Sequence, residues 1–342
     1  MTLREQKKAI VVIAFALLLA SFVLGLAMGS VPITFSDTLA ALFGQASSPR
    51  VDLVIERIRL PRAILAAMVG ALLGICGAAT QGLFRNPLAD PSLIGVTAGA
   101  AAGAAATIFF ASGLSVLAGL GGIALVSVGA FIGGSASVIL VYMLASNQHG
   151  TSVATMLLAG IAITAIAGGL TSLVEFFADN EMLRRISIWQ MGGLDGANKN
   201  RVIIATVVSI IVLTFLPRYS NSLNALLLGE SEARHLGIDV QSIKTRLIVL
   251  VAFGVGTSVA LAGTIGFVGL VIPHIIRLLI GPDHRFLLPL SALGGAILLL
   301  LSDVLARTII APIELPVGLV TALLGAPFFI SLLRRRHEFA MQ

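Results

Sequence analysis

Charge is the first thing this chain lacks. Asp, Glu, Lys and Arg make up 11% of its 342 residues, while 57% are hydrophobic and the mean hydropathy is +1.03. Soluble domains carry roughly 25% charged residues, so a water-covered globular protein is excluded. Cysteine is nearly absent too. Cys76 stands alone within an apolar run, which rules out an intrachain disulfide framework and a zinc-type cysteine cluster; it reads as a small packing residue. The short alternating strands of a membrane barrel are missing. So are a phosphate-cradling G-x-x-x-x-G-K-[ST] loop and an H-E-x-x-H zinc site among the five histidines.

What is present is long apolar runs. They fall at 9–29, 63–83, 93–111, 117–144, 153–177, 201–216, 246–265, 267–281, 287–306 and 316–333, ten candidate membrane helices. A helix needs about 20 apolar residues to span hydrocarbon, and within lipid it satisfies its own backbone. The expected fold is therefore an all-α integral membrane protein, a single transmembrane domain over residues 1–342. The first run follows Arg4, Lys7 and Lys8 and exceeds the roughly 7–15-residue core of a cleaved signal, so it reads as an uncleaved first helix. The eighth run is short, and Gly263-Thr264-Ile265-Gly266 blurs its border with the seventh.

The net charge of +6 is compatible with nucleic acid as a partner, but the basic residues sit in the gaps between runs, as membrane topology determinants do. Nucleic acid is rejected on that distribution. An even helix count puts both termini on one side, and Arg334-Arg335-Arg336 with the N-terminal lysines makes that side the cytoplasm. Outer loops then also hold arginines, Arg57, Arg59, Arg62 and Arg307 among them, which need their own explanation. Within the spans, Gly70/Gly74, Gly95/Gly99/Gly103 and Gly129/Gly133 have the spacing that lets helix backbones approach closely.

Two loops stand out. The inner stretch at about 218–244 contains Ala233, Leu236 and Ile238 among charges, a short amphipathic helix with Gly237 as its C-cap. From spacing alone it could rest on lipid headgroups or dock another protein. The outer stretch at about 178–200 carries Ile186, Ile188, Trp189, Met191, Gly192 and Gly193, too apolar for a solvated loop. It is expected to hold a half-inserted helix lining a pathway.

Five motifs occur in order: Arg57-Ile58-Arg59-Leu60-Pro61-Arg62, Gln81 through Pro91, Leu228-Gly229-Glu230 through Leu236-Gly237, Gly266 through His274, and Glu314-Leu315-Pro316-Val317-Gly318. With them the chain resembles the ten-helix permeases of type II ABC importers for iron-siderophores, heme and vitamin B12, over nearly its whole length. The resemblance implies a second copy of the chain, two cytoplasmic ATPase subunits that bind ATP and Mg, and a periplasmic binding protein. No cofactor is expected in this chain and no catalytic or metal-binding residue.

The resemblance also implies residue roles. Gly229, Glu230, Ala233, Arg234, Leu236 and Gly237 become the ATPase-coupling helix. Arg59, Arg62 and Arg307 become partners for glutamates of the binding protein, although Asp303 lies one helical turn before Arg307 and offers a local ion pair. The cytoplasmic gate falls on Ser152, Val153 and Ala154, and the pathway on Trp189, Met191 and Gly192. Hydroxyl residues occupy that gate in the vitamin B12 member, and Val153 and Ala154 depart from this. Because most of the family carries iron chelates, the resemblance makes ferric siderophore the first expected cargo, heme the second and cobalamin the third.

Glu175 and Asp179 close the fifth run near the outer interface, where solvation is cheap, rather than at the midplane where a proton relay would sit. His274 reads as a structural histidine. An ion-coupled secondary transporter would need midplane carboxylates or broken helices in two inverted halves. An intramembrane enzyme would need a catalytic cluster within the spans. Neither pattern is found.

Overall fold

The computed structural model describes residues 3–45, 48–112, 122–148 and 150–340. Ten apolar helices are present among them. Seven are long enough to cross a bilayer, and Val96–Ala111, Val268–Ile280 and Val317–Ser331 are shorter. The ten expected runs each find a helix. The start of the run at 117–144, like His149, lies outside the described residues.

Helix α1 (Leu3–Ala27) is followed by the short interfacial α2 (Phe35–Leu42). The next span begins well before residue 63. Helix α3 (Pro49–Leu53) passes through one π-helical stretch, Val54–Arg59, directly into α4 (Leu60–Leu83). The arginines there look like a polar break in the sequence, yet they sit inside the helix because other segments supply their partners.

Helix α4 is the axis of the bundle. It packs against α1, α9 (Lys199–Phe215), α12 (Val240–Ala262), α13 (Val268–Ile280) and α14 (His284–Thr308). In the span Pro49–Leu83, 89% of the most apolar stretch is buried. Glycine makes the approach possible. A Cβ on Gly74 would lie 2.0 Å from the Ser291 carbonyl oxygen, and one on Gly70 would lie 2.3 Å from that of Gly295. A second tight pair joins α5 (Val96–Ser112) to α6 (Gly122–Ala145) at Gly99, Gly103, Gly129 and Gly133. Gly95 serves differently: it ends the 3₁₀ turn Pro91–Ile94 at φ +79°, a left-handed conformation that glycine adopts without strain.

After α6 comes a two-rung hairpin, β1 (Ser146–Asn147) paired antiparallel with β2 (Gly150–Thr151), and then α7 (Val153–Phe177). Helix α7 is the contrast to α4, with 22% of its apolar window buried. The expected half-inserted element is α8 (Asn180–Met191), capped at its start by the Asp179 carboxylate, which accepts from the Met182 N–H at 2.8 Å.

The stretch expected as an inner loop at 218–244 is mostly helical. It contains α10 (Ser220–Leu228), α11 (Glu230–His235) and the first turn of α12. Helix α15 (Val317–Ala340) ends the fold.

The break between α12 and α13 is real. Residues 263–266 are non-helical, and Gly263 and Phe267 both have positive φ, +68° and +67°. Backbone freed inside a bilayer must be covered by protein or line a cavity. Here the Gly193 N–H donates to the Ala262 carbonyl at 2.8 Å, and Gly192 and Gly318 lie so close to Thr264 that a Cβ on either would meet its carbonyl oxygen.

Candidate functional site

Three places hold the polar chemistry of this bundle: a cleft beside α7, a cluster of arginines at the outer end, and the α11 region at the inner end.

The cleft has a volume of about 640 Å³ and lies between the 91–94 turn, α5, α7 and the end of α8. Its wall carries hydroxyls from Ser92, Thr97, Thr164, Thr171 and Ser172, and Thr264 from the α12–α13 break. Glu175 and Gln190 also line it, and the Gln190 amide donates to the Glu175 carboxylate at 3.1 Å. The open side is generous, since a Cβ on Gly168 or Gly169 would meet nothing within 4 Å.

Gln190 is the side chain that α8 turns to this cleft, and Trp189 and Gly192 lie outside its lining. Trp189 packs against the core and lines a separate cavity of about 280 Å³ with Arg185 and Arg201. Gly192 is buried against Thr264, and Met191 is half-exposed. The reason is helical phase: α8 is continuous to Met191, so adjacent residues point about 100° apart. The hydroxyl set and Thr264 were not singled out in the sequence; Gly263 and Gly266, flanking a threonine, were the available signal.

At the outer end, Arg59, Arg62 and Arg307 are 3%, 6% and 4% exposed. Arg59 donates to the carbonyls of Leu26 and Ala27 at 2.8 and 2.7 Å and also to that of Val31. Arg307 donates to the carbonyls of Met28 and Gly25 at 2.9 and 3.0 Å. Both thus satisfy the orphan carbonyls at the C-terminus of α1, where positive charge is also favoured by the helix dipole. Arg62 bridges Asp303 at 2.8 Å and Glu314 at 2.6 Å, and Asp303 pairs in turn with Arg307 at 3.0 Å. The local ion pair one turn before Arg307 is therefore formed. The three guanidiniums are turned inward, so contact with an outside carboxylate requires an exchange of one of these bonds. Arg57, two residues before Arg59, is exposed.

At the inner end, α11 closes as the glycine at 237 suggests. The Gly237 N–H donates to Arg234 and the Ile238 N–H to Ala233, with Gly237 at φ +80°; this is a Schellman ending. Ala233 is fully buried beneath the helix, while Leu228 and Leu236 are 68% and 64% exposed. Glu230 pairs with Lys244 at 2.7 Å and with Arg234 at 3.6 Å. The Lys244 ammonium also donates to the Thr151 carbonyl at 2.8 Å. Next to Thr151, Ser152 caps α7 by accepting from the Thr155 N–H at 3.3 Å, with Ala154 exposed and Val153 half-buried. The residues expected at the gate thus lie at the inner end of α7, about 37 Å of helix from its outer end.

His274 is buried with its ring edge-on to Phe328, 6.3 Å between centroids. Among the described residues no group of three or more His, Cys, Asp and Glu is placed to hold a metal ion.

Comparison with known proteins gives a consistent answer. The FecCD transport family matches residues 17–335. The hemin transport system permease protein HmuU of Yersinia pestis is 46% identical over 283 residues, 82% of this chain and 83% of that one. The vitamin B12 import system permease protein BtuC of Salmonella arizonae is 42% identical over 290 residues, 85% of each. A solved structure described as an inward-facing metal-chelate type ABC transporter superposes with a TM-score of 0.81 at 33% identity, over 94% of this chain and 97% of that one.

Proposed function

The chain belongs to the FecCD transport family as the multi-span permease of an ABC importer, and from that premise we propose that two copies form a plasma-membrane channel for an iron chelate, a ferric siderophore or heme. ATP hydrolysis in this family falls to a separate subunit. Two such subunits, holding ATP and Mg, seat on the α11 elements, and a periplasmic binding protein delivers the cargo at the outer end.

The observation that carries this reading is the uncovered face of α7. Leu158, Ile161 and Leu170 on it are 68%, 63% and 53% exposed, yet the same helix presents Thr164, Gly168 and Ser172 to the cleft. A purely lipid-facing helix has no use for hydroxyls and open glycines. A second copy laid against α7 would enclose the cleft into a polar pathway. Small residues and hydroxyls are what helices bring to such contacts in membranes.

The exposed Leu228 and Leu236 beside charged Glu232 and Arg234 support α11 as the seat of the ATPase. An apolar anchor rimmed by charge is the usual composition of a docking patch. At the outer end Arg62 and Arg307 pair with the two carboxylates Asp303 and Glu314, while Arg59 is held by carbonyls alone, so the cluster carries one net positive charge. That excess favours an acidic partner and steers its approach.

For the cargo, the hemin permease relative supports an iron chelate, as does the replacement of gate hydroxyls by Val153 and Ala154. The vitamin B12 permease relatives favour cobalamin as the second reading. The test is uptake into liposomes holding the permease, its ATPase subunits and its binding protein, with heme, a ferric siderophore and cyanocobalamin offered in turn. ATP-driven entry of an iron chelate supports the proposal, and entry of cobalamin alone replaces it with the second reading. Uptake by the permease without its ATPase overturns the importer mechanism.

A further inference from the structure

We infer that Lys244 is a positioning residue that ties the movement of α11 to the loop at the inner mouth of α7. Its side chain is 4% exposed and makes two bonds at once, to the Glu230 carboxylate at 2.7 Å and to the Thr151 carbonyl at 2.8 Å. The three residues come from three separate elements: α11, the first turn of α12, and β2 of the hairpin. Lys244 is their common point.

The grip on Thr151 is reinforced from the same turn. The Thr151 N–H donates to the Gln241 side-chain carbonyl at 2.8 Å, and the Gln241 amide donates to the Thr151 hydroxyl at 2.7 Å. One turn on, the Thr245 hydroxyl meets the Tyr142 hydroxyl at 2.9 Å, at the end of α6. The hairpin is therefore bound to α12 by side chains at 241 and 244, and the end of α6 by the one at 245. The next residue, Ser152, sends its own N–H to the Ala145 carbonyl at 2.9 Å and caps α7.

The physical reason for coupling is the cost of separation. A buried ammonium stripped of its carboxylate is strongly destabilised, so Glu230 and Lys244 move together or not at all. Lys244 cannot move without disturbing the Thr151 carbonyl, and through it the cap of α7. A polar recess of about 340 Å³ beside the pair, lined by Gly150, Ile238 and Asp239 among others, gives the assembly room to shift. Arg234 shares Glu230 at 3.6 Å from the exposed side and does not replace the buried contact.

This inference rests on the proposal that the ATPase seats on α11, and the experiment separates the two. Nitroxide labels at the exposed hairpin residue Gln148, introduced as Gln148→Cys in both copies, report the distance across the inner mouth by pulsed EPR. The measurement is made on the permease–ATPase complex, nucleotide-free and trapped with ATP and vanadate. The expected result is a distance change with native Lys244 that falls to less than half in Lys244→Met and largely returns in Lys244→Arg, while ATPase turnover in the complex persists.

An equal distance change in Lys244→Met overturns the role of Lys244. No change with native Lys244, despite ATPase trapping, sinks the α11 reading instead. If Lys244→Met yields no folded complex, Lys244→Gln keeps a donor toward Thr151 and discards the ion pair. Its distance change is again expected below half, and an undiminished change overturns the inference.

Discussion

Arg62 and Asp303, 241 positions apart in the chain, meet at 2.8 Å with both side chains less than one-tenth exposed. The contact joins the start of α4 to the end of α14, so the outer rim is held by charge at the arginines that the family resemblance assigns to docking. Removing one partner of a buried pair typically costs about 3–5 kcal/mol. Arg62→Met is therefore expected to lower the thermal midpoint of the purified permease in detergent, while Arg57→Met, at an exposed position, leaves it unchanged. A scanning-fluorimetry trace in which both variants match the native protein removes the structural role of Arg62.

The cleft beside α7 can be tested by filling it. Gly168→Trp places bulk where a Cβ meets nothing within 4 Å, so folding is expected to survive and uptake to fall at least about tenfold, if the pathway is required for transport. Gly160 is the control on the same helix. Its Cβ would lie 1.9 Å from the Leu93 carbonyl oxygen, and Gly160→Leu is expected to lose the folded protein altogether. Yield and monodispersity on size exclusion report folding, and uptake into liposomes reports transport.

Leu236 offers a test of the inner surface. Leu236→Asp puts a charge at the centre of the exposed apolar patch on α11 without touching the core. Loss of such an anchor commonly costs about 2 kcal/mol or more of binding, a roughly thirtyfold weaker association with the ATPase. Co-purification and titration of the ATPase measure it; unchanged affinity would place the docking surface elsewhere.

Helix contact is tested at Gly74. Since a Cβ would sit 2.0 Å from the Ser291 carbonyl oxygen, and the obstacle is backbone rather than a flexible side chain, Gly74→Ala is expected to push α4 and α14 apart. Overpacking typically costs about 1–3 kcal/mol, visible as a lower thermal midpoint. A midpoint equal to the native one shows that the pair can yield there.

The ten apolar helices were readable because hydrocarbon thickness and composition alone determine them, and the glycine seams at 70/74, 99/103 and 129/133 were readable from spacing. The start of the second span was not. Arg59 and Arg62 look like part of a loop until the carbonyls of α1 and the carboxylates of Asp303 and Glu314 come into reach, and those partners lie far away in sequence. The α11 cap was legible because Gly237 and Ile238 act within six residues. The Lys244 contacts were not, because they join three elements whose proximity only the packed bundle creates. Likewise the face that α8 turns inward depends on where it begins, at Asp179, which composition does not locate.

The close contact at Gly160 has a mechanical consequence. Helix α7 is pinned to the Leu93 carbonyl there, nearer its inner than its outer end, whereas at Gly168 and Gly169 it stands clear of its own protomer. Beyond that point Ala167 and Thr171 are buried and the Gln190 amide holds the Glu175 carboxylate at 3.1 Å, so the helix is gripped on one side along its length. A displacement of α7 therefore drags the 91–94 turn, through the Leu93 carbonyl, and α8, through Gln190, along with it.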